Sequence, residues 1–217
     1  MEGLDVIRSL DRARLLELSF AEDSYVRFES LRRLNDCPPE DELKARYVEL
    51  LTDPEEIVRV QAVENLADYR GHGVLVRGII GCFEDDSHLV RGFAAVTLGW
   101  IGGDDCIKVL EGRLGIADAW EEINVLAGLI LLGEEHYLSP LLALLTSPDY
   151  QVRCGIGNLC FMVASSDEMK RKVISSFEEA LKGESSRAVE TTLTPIVKQL
   201  QEEVESEEND SADKSYP

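Results

Sequence analysis

The stretch DSHLVRGFAAVTLG, residues 86–99, decides the fold because it recurs. It returns as DSYVRFESLRRL from Asp23, as DPEEIVRVQAVENL from Asp53 and as DYQVRCGIGNLC from Asp149. The Val-Arg arginines are Arg27, Arg59, Arg91 and Arg153, so the steps are 32, 32 and 62 residues, the last being about two periods with a degenerate copy between. A fixed period of this length is the signature of stacked helical repeats, each unable to bury its apolar face alone.

Within the quoted stretch, Val90, Ala94, Ala95 and Leu98 stand at helical spacing, and Gly99 and Gly102 lie where a helix often stops. Asp86 or Ser87 can cap the start, since a short side-chain oxygen accepts from an unpaired N–H of the first turn. In the second unit Asp53-Pro54 is the expected cap, with Pro54 at the first helical position. The preceding segment, HGVLVRGIIGCFEDD, supplies a partner helix. No sustained period-2 alternation occurs, so the expected class is all-α.

The other units follow the same plan. The first runs from about Ser9 to Asp36 and the second from Pro38 to Gly71. The fourth begins at Asp104, and its second helix, AWEEINVLAGLILLG, keeps the closing Leu132-Gly133 but has lost the Val-Arg pair. The fifth opens with HYLSPLLALLTSPD. A sixth is expected from SSDEMKRKVISSFEEALKG and SSRAVETTLTPIVKQL, where Arg187 falls 34 residues after Arg153. Residues 1–200 are thus read as the repeat domain. Residues 201–217, QEEVESEENDSADKSYP, hold seven acids and one Lys and are read as an acidic disordered tail.

The chain of 217 residues carries a formal charge of −20, of which −6 belongs to that last segment and −14 to residues 1–200. Phosphate binding is dominated by Lys and Arg, so this balance argues against nucleic acid or an anionic membrane as a partner and favours a basic protein. The five cysteines, Cys37, Cys82, Cys106, Cys154 and Cys160, show no CxxC spacing and suit free thiols in a reducing compartment. MEGLDVIRSLDRAR lacks the apolar region of a secretory signal, and no run reaches the ~18 apolar residues of a membrane span. A cytoplasmic location is expected.

Chemistry-bearing constellations are few. His72, His88 and His136 stand near repeat corners, outside any metal spacing such as HExxH, and the Glu134-Glu135-His136 cluster reads as a solvated turn. GWIGGDD lacks a P-loop lysine and follows a helix rather than a strand. The cysteines read as small core residues. No catalytic residue, metal site or cofactor is expected, and the chain is read as a non-enzyme.

The pattern Asp-x-x-Val-Arg-x-x-Ala-(Ala/Val)-x-x-Leu-Gly resembles the second helix of HEAT-like repeat proteins, over about residues 9–200. The resemblance implies a short right-handed α-solenoid of five to six helix pairs, with the second helices lining the concave face. It further implies a protein-binding scaffold. Small bacterial HEAT-like proteins include immunity proteins that neutralise cationic nuclease toxins, a role that an acidic concave wall would suit. HEAT-like folds also include bilin lyases, alkylpurine DNA glycosylases and assembly chaperones. The glycosylase role needs a basic groove that this sequence lacks, and no residues here specify tetrapyrrole attachment.

One Arg per repeat is expected to stack on the next unit and to bond helix-end carbonyls or a neighbouring Asp, with Asp23, Asp53, Asp86 and Asp149 beside it. On the second helices, positions one, two, five and six after each Arg are free of the core pattern. They carry Glu64 in the second unit and Phe93 in the third, with Trp100 one turn further on. Aromatic anchors beside acids have the composition of an interaction hot spot. The candidate partner-binding residues are therefore Glu64, Asp68, Phe93, Trp100, Asp104, Asp105, Trp120, Glu121 and Glu122.

Overall fold

A computed structural model describes residues 10–71 and 73–213, without the side chains of Asp104 and of residues 208–213. Among the described residues twelve α-helices pair in sequence order and no strand occurs. The first pair is α1 (Arg12–Leu18) and α2 (Ser24–Leu34); the second is α3 (Asp41–Leu50) and α4 (Glu56–Asn65). Next come α5 (Gly73–Gly81) with α6 (His88–Ile101), and α7 (Asp104–Glu111) with α8 (Ala119–Leu131). The last pairs are α9 (Leu138–Ala143) with α10 (Tyr150–Val163), and α11 (Asp167–Leu181) with α12 (Arg187–Asp213). The expected helix pairs, including the sixth, are present.

The second helices start where short polar side chains can cap them. Asp23, Ser87, Asp118 and Asp149 each accept a first-turn N–H of α2, α6, α8 and α10. The second unit departs from expectation. Helix α4 begins at Glu56, behind Pro54, and Asp53 accepts the N–H of Glu55 while its carboxylate is held by Arg27. That carboxylate is committed to the neighbouring repeat, so the turn of chain after it, not Pro54, opens the helix.

Side chains facing between helices form two apolar clusters that meet at α8. Val125 and Leu129 belong to the cluster of the first units, while Ile123, Leu126, Ala127 and Ile130 join that of the last. The fourth unit joins two cores.

The arginine ladder is built as a relay. Arg27 Nε and Nη2 donate to both oxygens of Asp53 at 2.8 Å, and its Nη1 donates to the carbonyls of Ala21 and Glu22. Arg59 repeats this with Asp85 at 2.7 and 2.9 Å and with the carbonyls of Asp53 and Pro54. Asp53 therefore accepts from the preceding repeat through its carboxylate and from its own repeat through its backbone. Arg91 continues to the carbonyls of Asp85 and Asp86 and to the carboxylates of Glu121 and Asp118. Arg153 grips Glu184 with two bonds of 2.8 Å and takes the carbonyl of Ser147. The carboxylate partners are Asp53, Asp85, Asp118, Glu121 and Glu184; Asp23 and Asp149 cap helices instead, and Asp86 offers only its carbonyl.

A second register runs along the same helices. Asn65 Nδ2 donates to the carbonyl of Leu31 at 2.9 Å, and Thr97 Oγ1 donates to that of Val63 at 3.1 Å, each reaching back one repeat. At the matching position α8 has Gly128. A Cβ there would lie 2.5 Å from the Ala95 carbonyl oxygen, and one on Gly99 would lie 2.8 Å from the Gly128 Cα. Where the earlier repeats span the gap with a polar side chain, the third and fourth close it backbone to backbone. Gly99 and Gly102 both fall near the end of α6 as expected: Gly99 is buried in its last turn and Gly102, at φ +81°, ends the helix.

The expected boundary at 200 is also displaced. Helix α12 passes Leu200 and runs to Asp213; Val204 is buried, and Lys170 pairs with Glu203 at 3.2 Å and Glu207 at 3.0 Å. Acidic composition there suggested a disordered tail, yet one apolar anchor and one lysine on α11 hold residues 201–207 to the last pair. Residues 214–217 lie outside the described residues.

Candidate protein-binding groove

Side chains at the edge of the two cores, most of them partly buried, converge on the face of the second helices. On α6, Phe93, Val96, Thr97 and Trp100 form a stripe at i, i+3, i+4 and i+7, one side of a helix. On α10, Gly155, Asn158, Leu159 and Met162 repeat the same spacing. Glu64 of α4 and Ala67 close one end, and Trp120 of α8 bridges the two stripes. Together they enclose a groove of about 310 Å³. Its walls are mainly aromatic and aliphatic, with Thr97 and Asn158 as polar members, and Glu64 is the charged residue that lines it.

Trp120 is seated by two glycines. A Cβ on Gly92 of α6 would lie 3.2 Å from Trp120 Nε1, and one on Gly155 of α10 would lie 3.0 Å from its six-membered ring. Without side chains at those places, the half-buried indole lies between the neighbouring second helices. Its Nε1 is buried without an acceptor, which costs about 1–3 kcal/mol for an unpaired donor. His88 packs edge-on against the ring at 6.2 Å. Trp100 is stacked by the Arg70 guanidinium at 4.6 Å.

Glu64 keeps solvent contact, yet its carboxyl is pushed above the ordinary carboxylate range by burial against the apolar walls. A hydrogen bond from Gln61 Nε2, 3.0 Å away, opposes this only in part. The same Gln61 donates to Asn65 Oδ1 at 2.8 Å, so the groove rim is tied to the inter-repeat register.

The nine expected residues divide. Glu64, Phe93, Trp100 and Trp120 meet in the groove. Asp68 is exposed in a short 3-10 turn at Leu66–Asp68, and Asp105 is exposed in the first turn of α7; neither lines the groove. Asp104 opens α7 and its side chain lies outside the described residues. Glu121 needs correcting: it is 1% exposed, occupies the place of the buried Val58, Val90 and Val152, and is held by Arg91 at 2.8 Å and Arg113 at 2.6 Å. With its charge neutralised inside the stack, Glu121 cannot face a partner. Glu122, half-buried, stands where the other second helices carry their Arg. Asn158, Leu159 and Met162 were missed, although they stand five, six and nine residues after Arg153, as Val96, Thr97 and Trp100 do after Arg91.

Elsewhere the titratable groups are structural. Burial pushes the Cys82 thiol up to about 11 and raises those of Cys106 and Cys160, so these sulfurs stay protonated. His136 sits 3.4 Å from Glu134 and against the Tyr137 ring, and His72 lies outside the described residues. Among the described residues no group of three or more His, Cys, Asp or Glu could hold a metal ion, and no helix is long and apolar enough to cross a membrane.

Residues 43–127 match the family model of HEAT repeats, which takes in the second to fourth helix pairs. Among solved structures, an engineered protein aligns with a TM-score of 0.44 and 20% identity, over 89% of this chain and 99% of that one. A designed armadillo repeat protein aligns at 0.42 and 17%, over 88% and 100%. No curated protein matches the chain. The repeat model and the helix pairs themselves, rather than these distant likenesses, carry the architecture.

Proposed function

We propose that this HEAT-like repeat protein is a non-catalytic scaffold that captures a basic protein on the face of its second helices, as an immunity or antitoxin protein neutralising a cationic, nuclease-type toxin. The observation that carries the reading is where the positive charge goes. Arg27, Arg59, Arg91 and Arg153 of the ladder, and Arg113 from the linker before α8, are each held against a buried or half-buried carboxylate. Those pairs take up acids as well as cations, so the −20 net charge of the chain is left to the charged residues outside the ladder. Such a field steers a basic partner and raises its association rate, while an apolar groove with fixed aromatic walls slows its release. Trp120 supports the same reading. Its ring is fixed between neighbouring second helices and lines the groove, a rigid aromatic surface of the kind that anchors a partner.

The test uses the chain as bait at low ionic strength. The reading requires the retained protein to be basic, to associate more slowly as salt rises, and to be toxic to cells that express it without this chain. An acidic partner, or binding indifferent to salt, overturns it.

A further inference from the structure

The groove restricts what part of a partner can enter it. About 310 Å³ lies at the floor of the ~300–1,000 Å³ typical of ligand sites, room for one long side chain with its backbone and too little for a helix. The walls suit a hydrocarbon stem, and aromatic faces attract a cation through their quadrupoles. One carboxylate, Glu64, stands among them, and its one hydrogen bond comes from Gln61. Resting on the reading of a basic partner, we propose that the groove receives one lysine or arginine side chain of that partner, its alkyl stem against Phe93, Trp100 and Trp120 and its cationic head on the Glu64 carboxylate.

Charge complementarity selects this occupant over a purely apolar one. A leucine or phenylalanine would fill the walls but leave Glu64 further desolvated, with its raised pKa driven higher. A cationic head removes that cost and adds a charge-assisted bond. The stacking of Arg70 on Trp100 at 4.6 Å is an intramolecular instance of a guanidinium settled on one of these rings.

The test exploits the fact that the chain has two tryptophans, Trp100 and Trp120, and both line the groove. Tryptophan emission of the full chain is titrated with short blocked peptides identical but for one central residue, lysine, arginine or norleucine, up to about 10 mM, well past a ~1 mM affinity. We expect saturable changes with lysine and arginine and about tenfold weaker binding of norleucine, the size of one charge-assisted bond. Glu64→Gln, on an exposed position, should weaken the basic peptides about tenfold and leave norleucine binding as strong or stronger, since no charge is then desolvated, with thermal stability retained. Norleucine binding as well as lysine, no response to any peptide, or basic peptides indifferent to Glu64→Gln would each overturn the proposal. A basic partner whose capture falls with salt but ignores Glu64→Gln would sink the groove proposal alone, whereas an acidic partner sinks the reading beneath it.

Discussion

Arg59→Ala is the most informative single perturbation of this fold. The guanidinium makes two bonds to Asp85, at 2.7 and 2.9 Å, and two to the carbonyls of Asp53 and Pro54, at 2.9 and 3.2 Å. Removing one partner from a fully buried pair costs about 3–5 kcal/mol, and from an exposed one about 0–1 kcal/mol. The Arg59 and Asp85 side chains are 16% and 13% exposed, so water reaches the site in part and we expect about 2–3 kcal/mol. Arg27 and Asp53, at 11% and 5%, should give about 3–4 kcal/mol for Arg27→Ala. Lys182 and Glu179, at 70% and 75%, form a surface pair, and Lys182→Ala should move stability little. Urea and thermal unfolding report the order. At roughly 2–4 °C per kcal/mol for a chain of this size, Arg59→Ala should lower Tm by about 5–10 °C. Because repeats couple through their nearest interfaces, hydrogen exchange should quicken first in the second and third pairs. Combining it with Asp85→Ala should cost at least about 1 kcal/mol less than the two singles together. If the singles add within about 0.5 kcal/mol, or Tm stays within about 1 °C of wild type, the arginines do not hold the stack and must be read as ligand contacts.

Gly128→Ala should destabilise by about 1–3 kcal/mol, since its Cβ would lie 2.5 Å from a carbonyl oxygen that cannot swing aside; a wild-type melting curve would contradict the backbone contact of α6 and α8. Glu184 is held at about 2 by the Arg153 guanidinium, against burial and with help from the Ser185 and Ser186 N–H groups. Its folded pKa lies below the ordinary 4.5, so the stability it contributes is present above that value and is lost as pH falls towards about 2. Melting curves across that window should fall more steeply for wild type than for Arg153→Ala, and parallel curves would exclude the linkage. Truncation after 207 should leave the melting temperature nearly unchanged, whereas truncation after Leu200 should lower it by removing Val204 and the partners of Lys170; equal stability of the two would return residues 201–207 to a dispensable tail.

The helix pairs were legible because the Val-Arg repeat fixes phase, and a phased repeat states which side chain faces which neighbour before any coordinate is known. The acceptors were less legible. An Arg at a fixed place can reach any carboxylate of the next loop, and Asp85 rather than Asp86 takes Arg59 because the backbone there turns through the N–H of Ser87 onto Asp85. Glu121 misled for a related reason. Acidic residues are read from sequence as exposed, and burial at a Val position becomes possible only with Arg91 and Arg113 both within reach, one of them from a linker with no repeat phase. The disordered reading of residues 201–207 failed on composition, which does not see that a lone Val204 falls on the buried side of α12.

The groove follows from the same degenerate fourth unit that breaks the sequence period. Polar side chains at Asn65 and Thr97 bridge their helices to the preceding repeat, whereas Gly128 brings α8 directly onto α6. Helix α8 then contributes only its first-turn Trp120 to the groove, and the stripes of α6 and α10 become its two walls. The indole can lie between them because Gly92 and Gly155 have no side chains. A regular repeat with Val-Arg at 121 and 122 would place an arginine beside Trp120 and extend the ladder without interruption. Loss of that arginine leaves Glu122 in its place, and the irregular unit supplies Trp120 to a groove whose other aromatics come from α6 and whose carboxylate comes from α4. That defect in the period bears on the binding site through Trp120, which the interrupted unit places between the stripes of α6 and α10.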